Sequence, residues 1–398
     1  MFAEIEPRAV DPIMAMMAAF RADPRELKVD LIVGVYKDDA GRVPVMRAVK
    51  GAEAVTLKTE DTKTYVGIAG DAELNERTPR MLLGDGHPAL AAGRIGAVQT
   101  VGGSGALRVA CDLIASTKPG ATIWVSSPTW ANHVPVARAA GLTIREYPYF
   151  RASDRGLDFD GMLACLTNDV APGDVVLLHA CCHNPTGVDL KPAQWEEITQ
   201  VIADRGLFPF VDCAYQGLGH GLEEDVAGLR HLAAHVPEML IASSYSKNFG
   251  IYRERTGGLT VLAETPDQLK PVMAQLNATI RANYSMPPNH GARIVAEVFA
   301  DDALHADWEA ELTEVRERIA QMRRELRAKL EERQVTADLS FVTDQVGMFS
   351  YTGFTPEQVQ MVREEYGIYM ASDGRINVAA LCSTNIDHVA DGFAAALR

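Results

Sequence analysis

Lys247 lies in Ser243-Ser244-Tyr245-Ser246-Lys247-Asn248-Phe249-Gly250, with Arg253-Glu254-Arg255 close behind. The apolar run Met239-Leu240-Ile241-Ala242 just before it reads as a short buried strand. A lysine among hydroxyls at a strand end, with an arginine nearby, suits two tasks. Its amine can condense with a carbonyl carbon to form a Schiff base, and the hydroxyls and guanidinium can hold a phosphate. Taken alone, such a lysine is ordinarily a solvated residue of a polar loop. Ser244 and Lys247 also match the S-x-x-K pattern of penicillin-binding enzymes. That chemistry needs an S-D-N and a K-T-G as well, and the chain has neither.

Other polar residues follow other apolar runs in the same way. Trp130 comes after Thr122-Ile123-Trp124-Val125 through Ser126-Ser127-Pro128-Thr129, and Asn184 after Val175-Val176-Leu177-Leu178 in His183-Asn184-Pro185-Thr186-Gly187. Asp212 ends the run Leu207-Phe208-Pro209-Phe210-Val211, and Tyr215 stands three residues on. Ligands of an open parallel sheet sit at the carboxyl ends of its strands, so these runs deliver Trp, Asn, Asp, Tyr and Lys to one rim. Gly102-Gly103-Ser104-Gly105 opens a helical pattern with Leu107, Ala110, Leu113 and Ile114 on its apolar face. The first N–H groups of such a helix are free for an anion. A dinucleotide fingerprint is excluded, because Gly103-x-Gly105-x-x-Arg108 lacks the third glycine.

Elements able to hold these residues follow from the patterning. From about residue 98 to 262 short apolar runs alternate with helical stretches, such as Pro192 to Gly206 with Trp195, Ile198, Val201 and Ile202. Pro192 suits the first turn and Gly206 the C-cap. Alternation of this kind means βαβ units: an α/β fold with a three-layer, mostly parallel sheet and helices on both faces. Beyond Asp302 a long charged helix carries Trp308, Leu312, Val315, Ile319, Met322, Leu326 and Leu330 as one stripe. Short strands around Met348–Tyr351 and Ile376–Ala379 and helices over Pro356–Tyr366 and Ile386–Leu397 then form a smaller α+β unit. Residues 1–43 are expected to pack with 306–398 in this small domain, leaving 44–305 as the large ligand-binding domain.

The totals narrow the function. A net charge of −15 argues against nucleic acid and membrane surfaces as partners. Carboxylates or phosphates must then be bound by local placement of Arg, Lys and backbone N–H groups. Six cysteines, mostly in apolar runs, read as buried free thiols. Cys181-Cys182-His183 invites a metal, but adjacent cysteines on a strand point to opposite faces, so no metal site is expected. The N-terminus lacks the features of a secretory signal, no apolar run approaches transmembrane length, and the chain reads as cytoplasmic.

Together these motifs resemble the fold-type-I pyridoxal-phosphate aminotransferases, specifically the aspartate/aromatic amino-acid aminotransferase family. The similarity spans essentially the whole chain, from Gly34-Val35-Tyr36-Lys37-Asp38 through Thr64-Tyr65-Val66-Gly67-Ile68 to Gly374-Arg375-Ile376-Asn377-Val378. The resemblance implies pyridoxal 5'-phosphate as cofactor and a ping-pong reaction between amino acids and 2-oxo acids. It implies that Lys247 is the Schiff-base lysine and proton shuttle, and that Asp212 faces the pyridine nitrogen with His133 behind it. Tyr215 and Asn184 would hydrogen-bond the phenolic oxygen, and Trp130 would stack on the ring. Gly103, Ser104, Ser244, Ser246 and Arg255 would hold the phosphate, with Tyr65 supplied by a neighbouring subunit. For substrate, it implies Arg375 as α-carboxylate clamp, with Gly34, Trp130 and Asn184 beside it. Arg281 would cross the interface of a homodimer to bind a distal carboxylate.

Val43, Thr64, Ser104 and Met286 depart from the strict aspartate branch of that family, which usually has Thr, Asn, Thr and Asn there. Fewer polar groups near the distal arginine, and a polarisable methionine able to pack on a ring, suit aromatic donors as well as aspartate and glutamate. A strict aspartate aminotransferase is the alternative. A lyase on the same fold is disfavoured by Arg375 together with Arg281. A regulator built on this fold would need a basic DNA-binding segment that the acidic chain lacks.

Overall fold

Seven runs of the chain pair into one twisted sheet in the computed structural model, which describes residues 2–6 and 12–398. The strands are β1 (Ile95–Val101), β2 (Thr122–Ser127), β3 (Thr143–Pro148), β4 (Val175–His179), β5 (Phe208–Cys213), β6 (Met239–Ser244) and β7 (Thr256–Leu262). Their spatial order is β1-β7-β6-β5-β4-β2-β3. Only β7 runs antiparallel to its neighbours, pairing Thr256 with Val101 and Gly257 with Ser244. The remaining pairs are parallel, with His179 opposite Asp212 and Asp212 opposite Ala242. Residues at the carboxyl ends of β4, β5 and β6 are thereby set side by side.

Both faces of the sheet are apolar, as a sheet covered by helices on each side requires. Val176, Leu178, Val211 and Ile241 join Trp195, Ile198 and Leu232 in one core. Their alternate neighbours Val175, Leu177, Phe210 and Leu240 join Leu107, Ala110, Leu113 and Ile280 in the other. Helix α1 (Gly102–Thr117) leaves directly from β1, whereas α2 (Pro192–Arg205) begins on a proline and ends at Gly206 in the left-handed region, φ 60°. Glycine carries no Cβ penalty at that C-cap. The strands Ile95–Val101 and Thr143–Pro148 lie at the two edges of the sheet and carry mixed residues, so no continuous apolar run marks them in the sequence.

The chain divides into two compact units, Pro44–Glu317 and a second made of residues up to Val43 with Arg318–Arg398. Sequence placed the second crossing at 305/306, in the first turn of helix α4 (Asp302–Glu332); the two units divide further along the same helix, between Glu317 and Arg318. The reason is local packing. Trp308 stacks on Phe249 at 4.7 Å and its Nε1 donates to the Asn248 carbonyl at 2.8 Å, which ties the first half of α4 to the segment after β6.

The smaller unit has its own core of Val29, Leu31, Met322, Leu326, Ile368, Ile376 and Phe393 among others. Val29–Asp30 pairs parallel with Ile368–Tyr369, and Phe349–Tyr351 antiparallel with Arg375–Asn377. Arg323 is buried there at 3% exposure and donates to the carbonyls of Val342 at 2.9 Å and Gly347 at 2.8 Å, and to that of Phe349. A guanidinium used this way fastens the loop leading into the strand of Phe349. Arg323→Met strands these buried carbonyls, and we expect it to lower unfolding free energy by on the order of 3 kcal/mol. Urea titration checks this as a lower midpoint at unchanged slope.

Candidate active site

Lys247 follows β6 in a tight turn and is part-buried, its Nζ 4.8 Å from the centre of the Tyr215 ring. Burial disfavours the ammonium and the Arg255 charge adds to that effect, while Asp212 opposes both; the amine is lowered to about 8. It is therefore far easier to deprotonate than an exposed lysine. Tyr215 Oη accepts from Asn184 Nδ2 at 3.4 Å, so residues after β4 and β5 meet beside the amine.

Asp212 is 7% exposed at the end of β5. Burial pushes its carboxyl up, but the His133 hydrogen bond and the Lys247 charge outweigh this and hold it below the ordinary value. His133 Nε2 lies 3.0 Å from Asp212 Oδ2, and His133 Nδ1 lies 2.8 Å from Thr129 Oγ1. Trp130 meets the His133 ring edge-on at 5.3 Å. The segment after β2 thus supplies both an indole and the bracing imidazole. A carboxylate kept ionised in a dry site can hold a positive charge or a proton on a bound ring nitrogen opposite it.

A second cluster forms where β6, β7 and α1 meet. Arg255, itself at φ 53°, donates from NH1 to Ser246 Oγ at 3.2 Å and to the Tyr252 carbonyl at 2.9 Å. Ser244 Oγ accepts the Ser246 N–H at 3.3 Å. Gly102 has φ 64°, and a Cβ there would lie 2.6 Å from Arg255 NH2; one at Gly103 would lie 3.1 Å from Ser244 Cβ. Side chains at either position would fill the space between the helix start and the guanidinium. Ser104 is part-buried in the first turn of α1, and no side chain caps that end. Free N–H groups, hydroxyls and a guanidinium converging on a glycine-lined hollow suit a phosphate.

Gly34 and Arg375 belong to the smaller unit, where one ring brings them together. The Arg375 guanidinium stands 4.5 Å from the Phe349 ring, and a Cβ on Gly34 would lie 2.7 Å from that same ring. Arg375 NH2 donates to the Ile32 carbonyl at 3.0 Å, and Asn377 Nδ2 to those of Val33 and Val35 at 2.6 and 2.7 Å. Tyr65 and Arg281 are different. Tyr65 is 89% exposed, and Arg281 is exposed in the last turn of helix α3 (Pro266–Asn283), donating to Ser285 Oγ. Neither is enclosed by its own chain.

Two groups escaped the sequence reading. Thr129, which sets His133, carried no signal beyond its place in the strand-end loop. His179, the last residue of β4, is buried with both ring nitrogens unpartnered, 5.2 Å from His133 and 4.2 Å from His183, and burial beside His133 lowers it to about 3. It stays neutral next to the Asp212–His133 pair. A third expectation rested on the wrong geometry. Cys181 and Cys182 lie past the end of β4, where Cys182 takes φ 50°, so their thiols converge to within 4.8 Å of each other and of the Asp225 carboxylate. That carboxylate is already engaged by the N–H groups of Gly217, Gly219 and His220 at 2.7–2.9 Å.

Comparison with known proteins agrees with this geometry. Residues 26–393 match the family described as aminotransferase class I and II. The chain is 45% identical over 397 residues to an aspartate aminotransferase of Escherichia coli, covering 100% of both chains. It is 48% identical over 389 residues to an aromatic-amino-acid aminotransferase of Paracoccus denitrificans, covering 97% of each. Among solved structures, an aromatic-amino-acid aminotransferase of Burkholderia pseudomallei covalently bound to pyridoxal phosphate superposes with a TM-score of 0.98 at 44% identity, covering 100% of this chain and 99% of that one. With a part-buried amine, a buried carboxylate and a glycine-lined hollow beside Arg255 on one sheet rim, the chain belongs to the aminotransferase class I and II family.

Proposed function

We propose that the protein is a pyridoxal-phosphate-dependent aminotransferase of broad donor range. It moves the amino group of aromatic L-amino acids and of aspartate or glutamate to 2-oxo acids such as 2-oxoglutarate, donor and acceptor using one site in succession. The observation that carries this reading is the lowered Lys247 amine over Tyr215, with the ionised Asp212 opposite. Pyridoxal phosphate fits the residues present. The hollow at Gly102 and Gly103 suits its phosphate, and the His133-braced carboxylate suits its ring nitrogen. When bound, the cofactor supplies an aldehyde that condenses with amines and a ring that draws the electron pair from the substrate Cα.

The chain's own groups have separate tasks in this reading. Ser244, Ser246, Arg255, Gly103 and Ser104 hold the phosphate. Lys247 takes and returns the proton at Cα, which needs an amine neutral near working pH. Asp212 keeps the ring nitrogen protonated, Trp130 covers the ring face, and Tyr215 with Asn184 orients the ring oxygen. Arg375 pairs with the α-carboxylate in the bidentate manner of guanidinium, and Gly34 leaves room for it. The unit Pro44–Glu317 is then the cofactor-binding domain and the other the small domain. The exposure of Tyr65 and Arg281 supports a homodimer in which each chain completes its partner's site. Met286 beside the Tyr65 segment supports aromatic donors. All six cysteines are free and buried, which supports a reducing, cytoplasmic setting. Among the described residues no helix is long and apolar enough to cross a membrane.

Three outcomes are expected. Holoenzyme given one amino acid at a time converts its absorbance with phenylalanine, tyrosine and aspartate alike; aromatic donors slower by about a thousandfold or more would point to a strict aspartate enzyme. Lys247→Ala, measured by stopped-flow with aspartate, loses at least about a hundredfold in rate, the ordinary contribution of a positioned proton-transfer group. The third concerns pH. The native Lys247 amine titrates near 8 and the unfolded one near 10.5, so between these values the unfolded chain holds the extra proton and stability rises with pH. In cofactor-free protein, Lys247→Met should therefore be more stable than the parent at pH 7. Denaturant titrations should find that gain fading as pH climbs from 8 towards 10.5.

A further inference from the structure

Gln99 is fully buried on the edge strand β1, a strand otherwise occupied with packing. Its side-chain amide points at neither the Lys247 rim nor the phosphate hollow. Instead Oε1 accepts the Asp71 N–H at 2.8 Å while Nε2 donates to the Pro288 carbonyl at 2.7 Å. Its backbone N–H also donates to the Ala69 carbonyl at 2.9 Å. One residue therefore grips two segments about 217 positions apart in the chain, 288 less 71. The fit is close: Gly70 has φ 84°, and a Cβ there would lie 2.3 Å from Gln99 Oε1.

These segments are the ones that carry the exposed residues of the proposed shared site. The stretch ending at Asp71 contains Thr64 and Tyr65, and the stretch ending at Pro288 follows Arg281 and contains Ser285 and Met286. Both line a single cavity of about 580 Å³, with Thr64, Tyr65 and Val66 on one side and Met286, Pro287 and Pro288 on the other. A buried amide that meets each segment with a hydrogen bond makes the pair move as one body. Replacing it with an apolar group removes both hydrogen bonds, and the part-buried Asp71 N–H and the Pro288 carbonyl, on an exposed residue, are then free to move towards water.

We propose that Gln99 is a positioning residue that sets the spacing between the Tyr65 segment and the Arg281–Met286 segment, and so tunes the partner subunit's site. The inference rests on the shared-site reading above. Gln99 touches no substrate atom; it governs how far apart the phosphate-reaching tyrosine and the distal-carboxylate arginine are held. Its loss should therefore weaken dicarboxylic substrates, which need Arg281 in one place. Aromatic substrates, which do not use that contact, should be spared. The effect should also arise in trans.

Hybrid holoenzyme dimers test this, each with one Lys247→Ala chain and one intact-lysine chain, so that only one site works. With Gln99→Met placed on the Lys247→Ala chain, the aspartate KM at the working site should rise roughly tenfold, as for a misplaced positioning group. With phenylalanine as donor, KM should stay within about twofold, as expected for an uncoupled site. Calorimetric affinity for an unreactive four-carbon dicarboxylate should fall by the same factor as the aspartate KM rises. The same substitution on the working chain should leave these values unchanged. Equal effects in both placements, or equal losses for aspartate and phenylalanine, would reduce Gln99 to a general stabiliser and overturn the proposal. Gln99→Asn, whose shorter amide spans only one of the two segments, should shift aspartate KM in the same direction by less. It serves as the deciding variant where Gln99→Met does not accumulate. Arg281→Ala in the same two placements tests the underlying reading separately: an effect confined to its own chain's site refutes the shared site whatever Gln99 does.

Discussion

An ionised carboxylate held out of water is the constraint on which the site depends. Asp212 is nearly enclosed at the end of a central strand, where burial alone raises its pKa. His133 opposes that rise from 3.0 Å away, and Thr129 fixes the imidazole from its other nitrogen. The Lys247 amine stands within the same field and is lowered by the same lack of water. A carboxylate kept charged and an amine made easy to deprotonate are opposite consequences of one desolvated rim, separated by which partners each group has.

The parallel sheet makes that arrangement available at little further cost. Strands β4, β5 and β6 end level with one another, so Asn184, Asp212 and Lys247 need only short turns to converge. The antiparallel β7 closes the rim from the far side and brings Arg255 back over Ser246. Glycine is needed there for space: a Cβ at Gly257 would lie 2.5 Å from the Gly102 backbone carbon and 2.7 Å from the Ser243 carbonyl oxygen. Close approach of the strand to the helix start keeps the hollow beside Gly102 small.

Away from the rim, buried polar side chains hold loops where secondary structure does not reach. Gln99 joins two segments of the larger unit, and Arg323 gathers three carbonyls around the strand of Phe349 in the smaller one. Each is buried with its amide or guanidinium bonded to backbone, the condition under which a polar group inside a protein stabilises its surroundings. Through Phe349, which contacts both Arg375 and the space at Gly34, such bracing reaches residues that face substrate in the proposed reading.

Sequence by itself determined the alternating strands and helices, the doubly apolar sheet, and the identity of the strand-end residues. The reason is that side-chain period and turn chemistry are local, and the residue after each apolar run can be read directly. Helix Pro356–Tyr366 with Gly367 beyond it was legible for the same reason. The edge strands, the position of the domain crossing at 317/318 along helix α4 and the convergence of Cys181 with Cys182 were not, because each turns on a packing partner or a backbone angle rather than a pattern. Only the tertiary structure decided that Thr129 sets His133, that Lys247 loses its water, and that Gln99 joins positions 71 and 288. Hydrogen bonds and desolvation act between residues distant along the chain, and no spacing along one chain encodes who will be the neighbour.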